Sequence, residues 1–72
     1  MEIYRNVGGD SGISAYEIGA NYVSVKFNNT GKVYTYSYGR AGKSHVDQMK
    51  ILAERGSGLN SYIMRNVKNL YD

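Results

Sequence analysis

Gly39-Arg40-Ala41-Gly42-Lys43-Ser44 is the segment of this chain best equipped for chemistry. Two cations and a hydroxyl sit among glycines, and small residues let backbone N–H groups come close to a phosphate. A helix beginning here would add the partial positive charge of its N-terminus. The run resembles the end of a phosphate-binding loop, Gly-x-x-x-x-Gly-Lys-Ser, with a strand before it and a helix after. The first glycine of that motif would fall at position 37, which is Ser37, and no acidic metal ligand follows on a second buried strand. The pattern argues against nucleotide hydrolysis and leaves two readings, anion binding at the turn or a plain turn with solvated basic side chains. Tyr38 would offer an aromatic ring beside Arg40, Gly42, Lys43 and Ser44.

Other groups are poorer in chemistry. His45 is the only histidine, and the chain has no cysteine, so disulfides and thiolate metal sites are absent. Asp10, Glu17 and Glu54 have no spacing that pairs carboxylates. No serine or carboxylate stands in a relation that makes His45 a catalytic base, so an enzyme is not expected, nor is any cofactor or metal.

The elements that must position the turn follow from periodicity. Tyr34-Thr35-Tyr36-Ser37-Tyr38 sets a tyrosine at every second position, the repeat of a β-strand. Val23, Val25 and Phe27 alternate with Tyr22, Ser24 and Lys26 in a strand over 22–27, and 13–18 reads as another. Asn28-Asn29-Thr30-Gly31 has the residues of a hairpin turn. A two- or four-residue connection places Phe27 opposite Lys32, Val25 opposite Tyr34 and Val23 opposite Tyr36, which puts Tyr34 and Tyr36 on the valine face. The open face of the sheet is available to Tyr16 and Tyr22, but the pattern does not settle their exposure. Met1 to Val7 forms either a short edge strand or an arm, ended by Gly8-Gly9-Asp10-Ser11-Gly12.

Beyond the turn the pattern becomes helical. Ser44 reads as an N-cap, with Asp47 favoured in the first turn by the helix dipole. His45, Val46, Met49, Leu52 and Ala53 form an apolar stripe, and Gly56 ends the helix. A second helix from Ser57 or Gly58 carries Leu59, Ile63, Val67 and Leu70. Ile51, Met64 and Tyr71 lie off these stripes and suit self-association or a partner. The expected fold is α+β: a three-stranded antiparallel meander followed by two helices packed on one face.

Several of these segments resemble the KTSC family, a domain found at the C-terminus of some lysyl-tRNA synthetases and alone in bacteria and their phages. The likeness rests on Ser11-Gly12-Ile13, Val23-Ser24-Val25-Lys26-Phe27, Tyr34-Thr35-Tyr36, and Ala53, Gly56, Gly58, Asn60 and Ile63. It treats 1–72 as one KTSC-like domain, with 1–10 an arm or edge strand and 11–71 the core. Association with a tRNA synthetase implies RNA binding. The chain departs from the family between strand and helix, where Ser37 to Lys43 replaces a valine-proline link.

Bulk properties fit a small binding domain. Seventy-two residues with nine basic and six acidic side chains carry a net charge of +3, compatible with nucleic acid or a phosphorylated ligand. A chain this short hides only about 60% of the surface that its unfolded form exposes, so a homodimer would be a natural support. No apolar run spans a membrane and no signal peptide is evident, which makes the cytoplasm the expected location. Two function classes follow. One is a module for RNA or a nucleotide at the strand–helix turn. The other is a phage-type accessory or inhibitor protein that works through protein contacts or homo-oligomerisation.

Overall fold

The computed structural model describes residues 1–7, 12–28 and 30–72. Most of the expected glycine-rich break, and Asn29 in the hairpin turn, lie outside the described residues. Elsewhere the chain is α+β, with four strands rather than three. These are β1 (Glu2–Ile3), β2 (Ile13–Ile18), β3 (Tyr22–Phe27) and β4 (Val33–Ser37), in antiparallel order β1-β2-β3-β4. The extra strand is the short N-terminal one, which pairs Glu2 with Tyr16 and Ile3 with Ala15.

The β3–β4 register matches the four-residue connection. Val23 faces Tyr36 and Val25 faces Tyr34, while Phe27 N–H donates to Lys32 O at 3.1 Å. Tyr36 is buried with the valines, and Tyr34 packs half-buried against them. In β2 the alternation breaks: Ile13 pairs with Phe27, but Ala15, not Ser14, pairs with Lys26. One inserted residue swaps the faces of everything after it. Tyr16 is thereby paired with Val25 and packs against the core, which settles the face that the sequence left open. Tyr22 does lie opposite Ser37 on that face and donates its hydroxyl proton to Glu17 Oε2 at 2.6 Å.

Helix α1 (Lys43–Arg55) buries Val46, Met49, Leu52 and Ala53. It ends at Gly56 (φ 81°), whose N–H donates to Leu52 O. Then α2 (Leu59–Tyr62) continues directly into a π-helical turn, Ile63–Val67, and together they bury Leu59, Ile63 and Val67. Leu70 falls beyond the helix and is exposed.

Both chain ends are tied in. Tyr4 is 3% exposed, its N–H donates to Ser14 O, and its hydroxyl accepts the N–H of Leu59 at 3.3 Å. Arg5 caps α1 from the far end, donating to the carbonyls of Glu54 and Arg55. Such a cation satisfies orphan carbonyls at the negative end of the helix dipole. At the C-terminus, Asp72 N–H donates to Thr35 O and Ser37 Oγ donates to Asp72 Oδ1. The tail thus covers the outer edge of β4, which would otherwise expose unpaired backbone groups.

Candidate functional site

The turn between β4 and α1 is built by backbone bonds. Arg40 and Ala41 N–H both donate to Ser37 O, and Tyr38 N–H donates to Asn21 O. Ala41 is buried beneath the turn, while Gly39 and Arg40 are exposed. Gly42 is the N-cap of α1, with φ 102° and ψ 140°, a conformation that disfavours a side chain. Ser44, expected as the cap, instead lies inside the first turn, because the helix begins at Lys43. The left-handed φ open to Gly42 lets the chain enter the helix two residues earlier than the serine would require. Among the described residues no side chain caps this end, and its first turn contains no acidic residue. The N–H groups of Lys43, Ser44 and His45 are the orphan donors of such a terminus; the first N–H to find an internal acceptor is that of Val46, on Gly42 O.

A polar cluster flanks this opening. Tyr38 donates its hydroxyl proton to Asp47 Oδ1 at 2.6 Å, and Lys43 Nζ reaches Asp47 Oδ2 at 2.6 Å. Lys50 Nζ donates to the Tyr38 hydroxyl at 3.1 Å and to Ala20 O at 3.3 Å. The hydrogen bond from Lys43, then that from Tyr38, holds the Asp47 carboxyl below the usual carboxylate range. In return the bond to Asp47 raises the Lys43 ammonium above its ordinary value.

Two sequence expectations change at this point. The Tyr38 ring already faces two ammonium groups, Lys50 at 4.9 Å and Lys43 at 5.4 Å from its centroid. Its hydroxyl is engaged as well, so Tyr38 acts here as a post that orients lysines rather than as a free stacking platform. Lys43 is paired with Asp47 and not aimed alone at the opening. Arg40 remains exposed and has no partner among the described residues. An exposed ion pair such as Lys43–Asp47 contributes little stability and is screened by salt, so it does not hold Lys43 against a stronger anion.

His45 is half-buried, with Nδ1 2.8 Å from the Tyr62 hydroxyl. Among the described residues, no group of three His, Cys, Asp or Glu side chains could hold a metal ion.

The off-stripe residues separate. Ile51 and Met64 are 54% and 50% exposed. Tyr71 is partly spent inside the molecule, with its ring 4.7 Å from that of Tyr34 and 6.4 Å from that of Tyr36. Sequence reasoning missed the role of Asp47 as the hub of the turn. The i,i+4 spacing from Lys43 was the available signal.

No family model matches the chain, and no curated protein or solved structure matches it either. Among the described residues, no helix is long and apolar enough to cross a membrane.

Proposed function

We propose that this protein is a small non-enzymatic binding module, acting in the cytoplasm, that takes the phosphate of an RNA strand or nucleotide at the β4–α1 turn. The observation that carries the reading is the first turn of α1, which has no side-chain cap among the described residues, with the exposed Arg40 side chain, unpartnered among those residues, just before it and Lys43 at its first position. Amide donors and cations together suit a phosphate, which accepts several hydrogen bonds and carries the complementary charge. The resemblance to the KTSC family bears on RNA as the ligand and not on the turn, which is where the chain departs from that family. Fluorescence anisotropy with a labelled single-stranded RNA tests it. Affinity falls with rising salt, and the joint change Arg40→Ala and Lys43→Ala lowers the magnitude of the slope of log affinity on log salt by about 1.4, two contacts at ~0.7 each. Unchanged affinity and slope in that variant would refute the proposal.

A second reading has its own observation. The exposed Ile51 and Met64 suit a protein partner or a second copy of this chain. Sedimentation at high concentration checks it: a dimer that ignores salt and is lost in Ile51→Asp supports it, while a strict monomer removes the second-copy form.

A further inference from the structure

Away from the turn, the sheet and the second helix leave a groove. Two adjoining cavities of about 320 and 240 Å³ share Phe27, Tyr34 and Met64 as walls. Phe27 and Tyr34 meet edge to face with centroids 5.5 Å apart, and Tyr71 closes on Tyr34 from the C-terminal tail. The strand register sets this wall, since Phe27 and Tyr34 lie on the helix-facing side of the sheet at the hairpin end. The half-exposed Met64, a pliable apolar side chain, supplies the opposite side. Each volume is near the lower limit for a small-ligand pocket, which suits one planar ring rather than an extended apolar segment.

Charge and polar groups narrow the occupant. Among the described residues no carboxylate lines either cavity, whereas Lys68 lines the smaller one and the exposed Arg65 follows Met64 in the chain. A third cavity, of about 440 Å³, is the reverse, with Glu2, Glu17 and Glu54 in its walls. Among the described residues, acidic side chains thus gather at one cavity of a basic protein and do not line the aromatic one. Asn60 and Asn69 stand at the rim of the groove with no partner for their side-chain amides among the described residues. An amide that both donates and accepts matches the edge of an unpaired base, and the rings and methionine match its faces.

From this juxtaposition we infer that the Phe27–Tyr34–Met64 groove receives an unpaired base of a single-stranded nucleic acid, with Lys68 beside it for the adjoining phosphate. The choice of nucleic acid as occupant rests on the function proposed above, but the groove is a separate site. Tyr34 and Tyr38 are four residues apart on the β4 path, about 13 Å of extended chain. A strand of a few nucleotides covers that distance, so one ligand could touch both places.

The test uses a short oligouridylate carrying one fluorescent purine analogue, alone and annealed as a duplex, with the whole 72-residue chain. Single strand binds more tightly than duplex, the analogue is quenched on binding, and Met64→Glu weakens the single strand by at least about fivefold, the low end for loss of one stacked base. Thermal stability stays at the wild-type value in that variant, and duplex binding, which lacks the stacked base, falls less than single-strand binding. Photocrosslinking from a photoreactive uracil gives a readout independent of any substitution: adducts on the peptides carrying Tyr34 or Tyr71 support the groove, and adducts confined elsewhere overturn it. If Met64→Glu and Lys68→Glu leave affinity and quenching unchanged while Arg40→Ala/Lys43→Ala still loses binding, the groove is refuted and the phosphate site stands. If the groove variants lose binding and the Arg40/Lys43 variant does not, the reverse holds. Failure of every strand to bind overturns both.

Discussion

Removing the side chain of Tyr4 asks whether the N-terminal segment is part of the folding unit or an appendage. The ring is 3% exposed, and it belongs to the same buried cluster as Ile13, Leu59 and Ala53. Truncating a buried aromatic to alanine costs about 3–5 kcal/mol. A domain of this length has only about 4–11 kcal/mol in total. Tyr4→Ala therefore removes a large share of the stability, and in a protein at the lower bound it leaves a substantial unfolded population. Tyr4→Phe isolates the hydroxyl. It keeps the ring and deletes the acceptor for the Leu59 N–H, a 3.3 Å bond at a buried helix start. Leaving that donor unpaired costs about 1 kcal/mol, the low end of the range because the bond is long. The corresponding fall in Tm is about 4–8 °C. Urea denaturation followed by circular dichroism measures both variants. If Tyr4→Ala stays within ~0.5 kcal/mol of the parent, as a surface change would, the N-terminal segment is not part of the core.

Further consequences can be measured in the same way. Gly56→Ala destabilises by about 1–3 kcal/mol, because the position holds φ 81° and a Cβ there would stand 2.8 Å from Arg5 Cβ. Gly39→Ala, with open space around the added atom, stays within about 0.5 kcal/mol in the same assay, and equal losses at the two sites would contradict the geometry. Asp47 has a folded-state pKa below its unfolded value, so its contribution is present above the ordinary carboxylate range and is lost as pH falls through the lowered folded value. Because the group is exposed, an NMR titration of the Asp47 carboxyl is the sensitive readout: its midpoint lies below that of an ordinary carboxylate, and a midpoint in the ordinary range would remove the assignment. Burial, then Tyr34 and Tyr71, pushes the Tyr36 phenol up to about 12, which makes its contribution complete below pH 10 and lost as pH rises through about 12. Tyrosinate absorbance then shows a late step that disappears in Tyr36→Phe, and a single step for all eight tyrosines near the ordinary value would contradict the burial.

What the sequence disclosed and what it withheld divide along local and non-local physics. The β3–β4 pairing was legible because alternation and connection length together determine which side chains share a face, and Tyr36 lies where that parity puts it. The core stripe of α1 was legible for the same reason, through its own period. The bulge at Ser14 was not, since no glycine or proline marks it, and one uncounted residue decides the face that Tyr16 takes. Tyr4 was equally hidden: one aromatic residue in a short segment has no period, and its partners Ser14 and Leu59 are distant in sequence. At the turn, residue types were informative but their alliances were not. The glycine, arginine and lysine pattern located the opening of α1, and the i,i+4 spacing hinted at Lys43–Asp47, yet only three-dimensional placement reveals that Tyr38 joins them. The C-terminal tail on β4 is likewise a contact between residues far apart along the chain, with no local signal.

The central claim is that the opening of α1 holds phosphate, and amide NMR during titration with a short single-stranded RNA tests it most directly. The account predicts that the N–H signals of Lys43, Ser44 and His45 move furthest among those near the turn, and that inorganic phosphate at higher concentration moves the same signals. Saturable RNA binding with these three amides unmoved would contradict it.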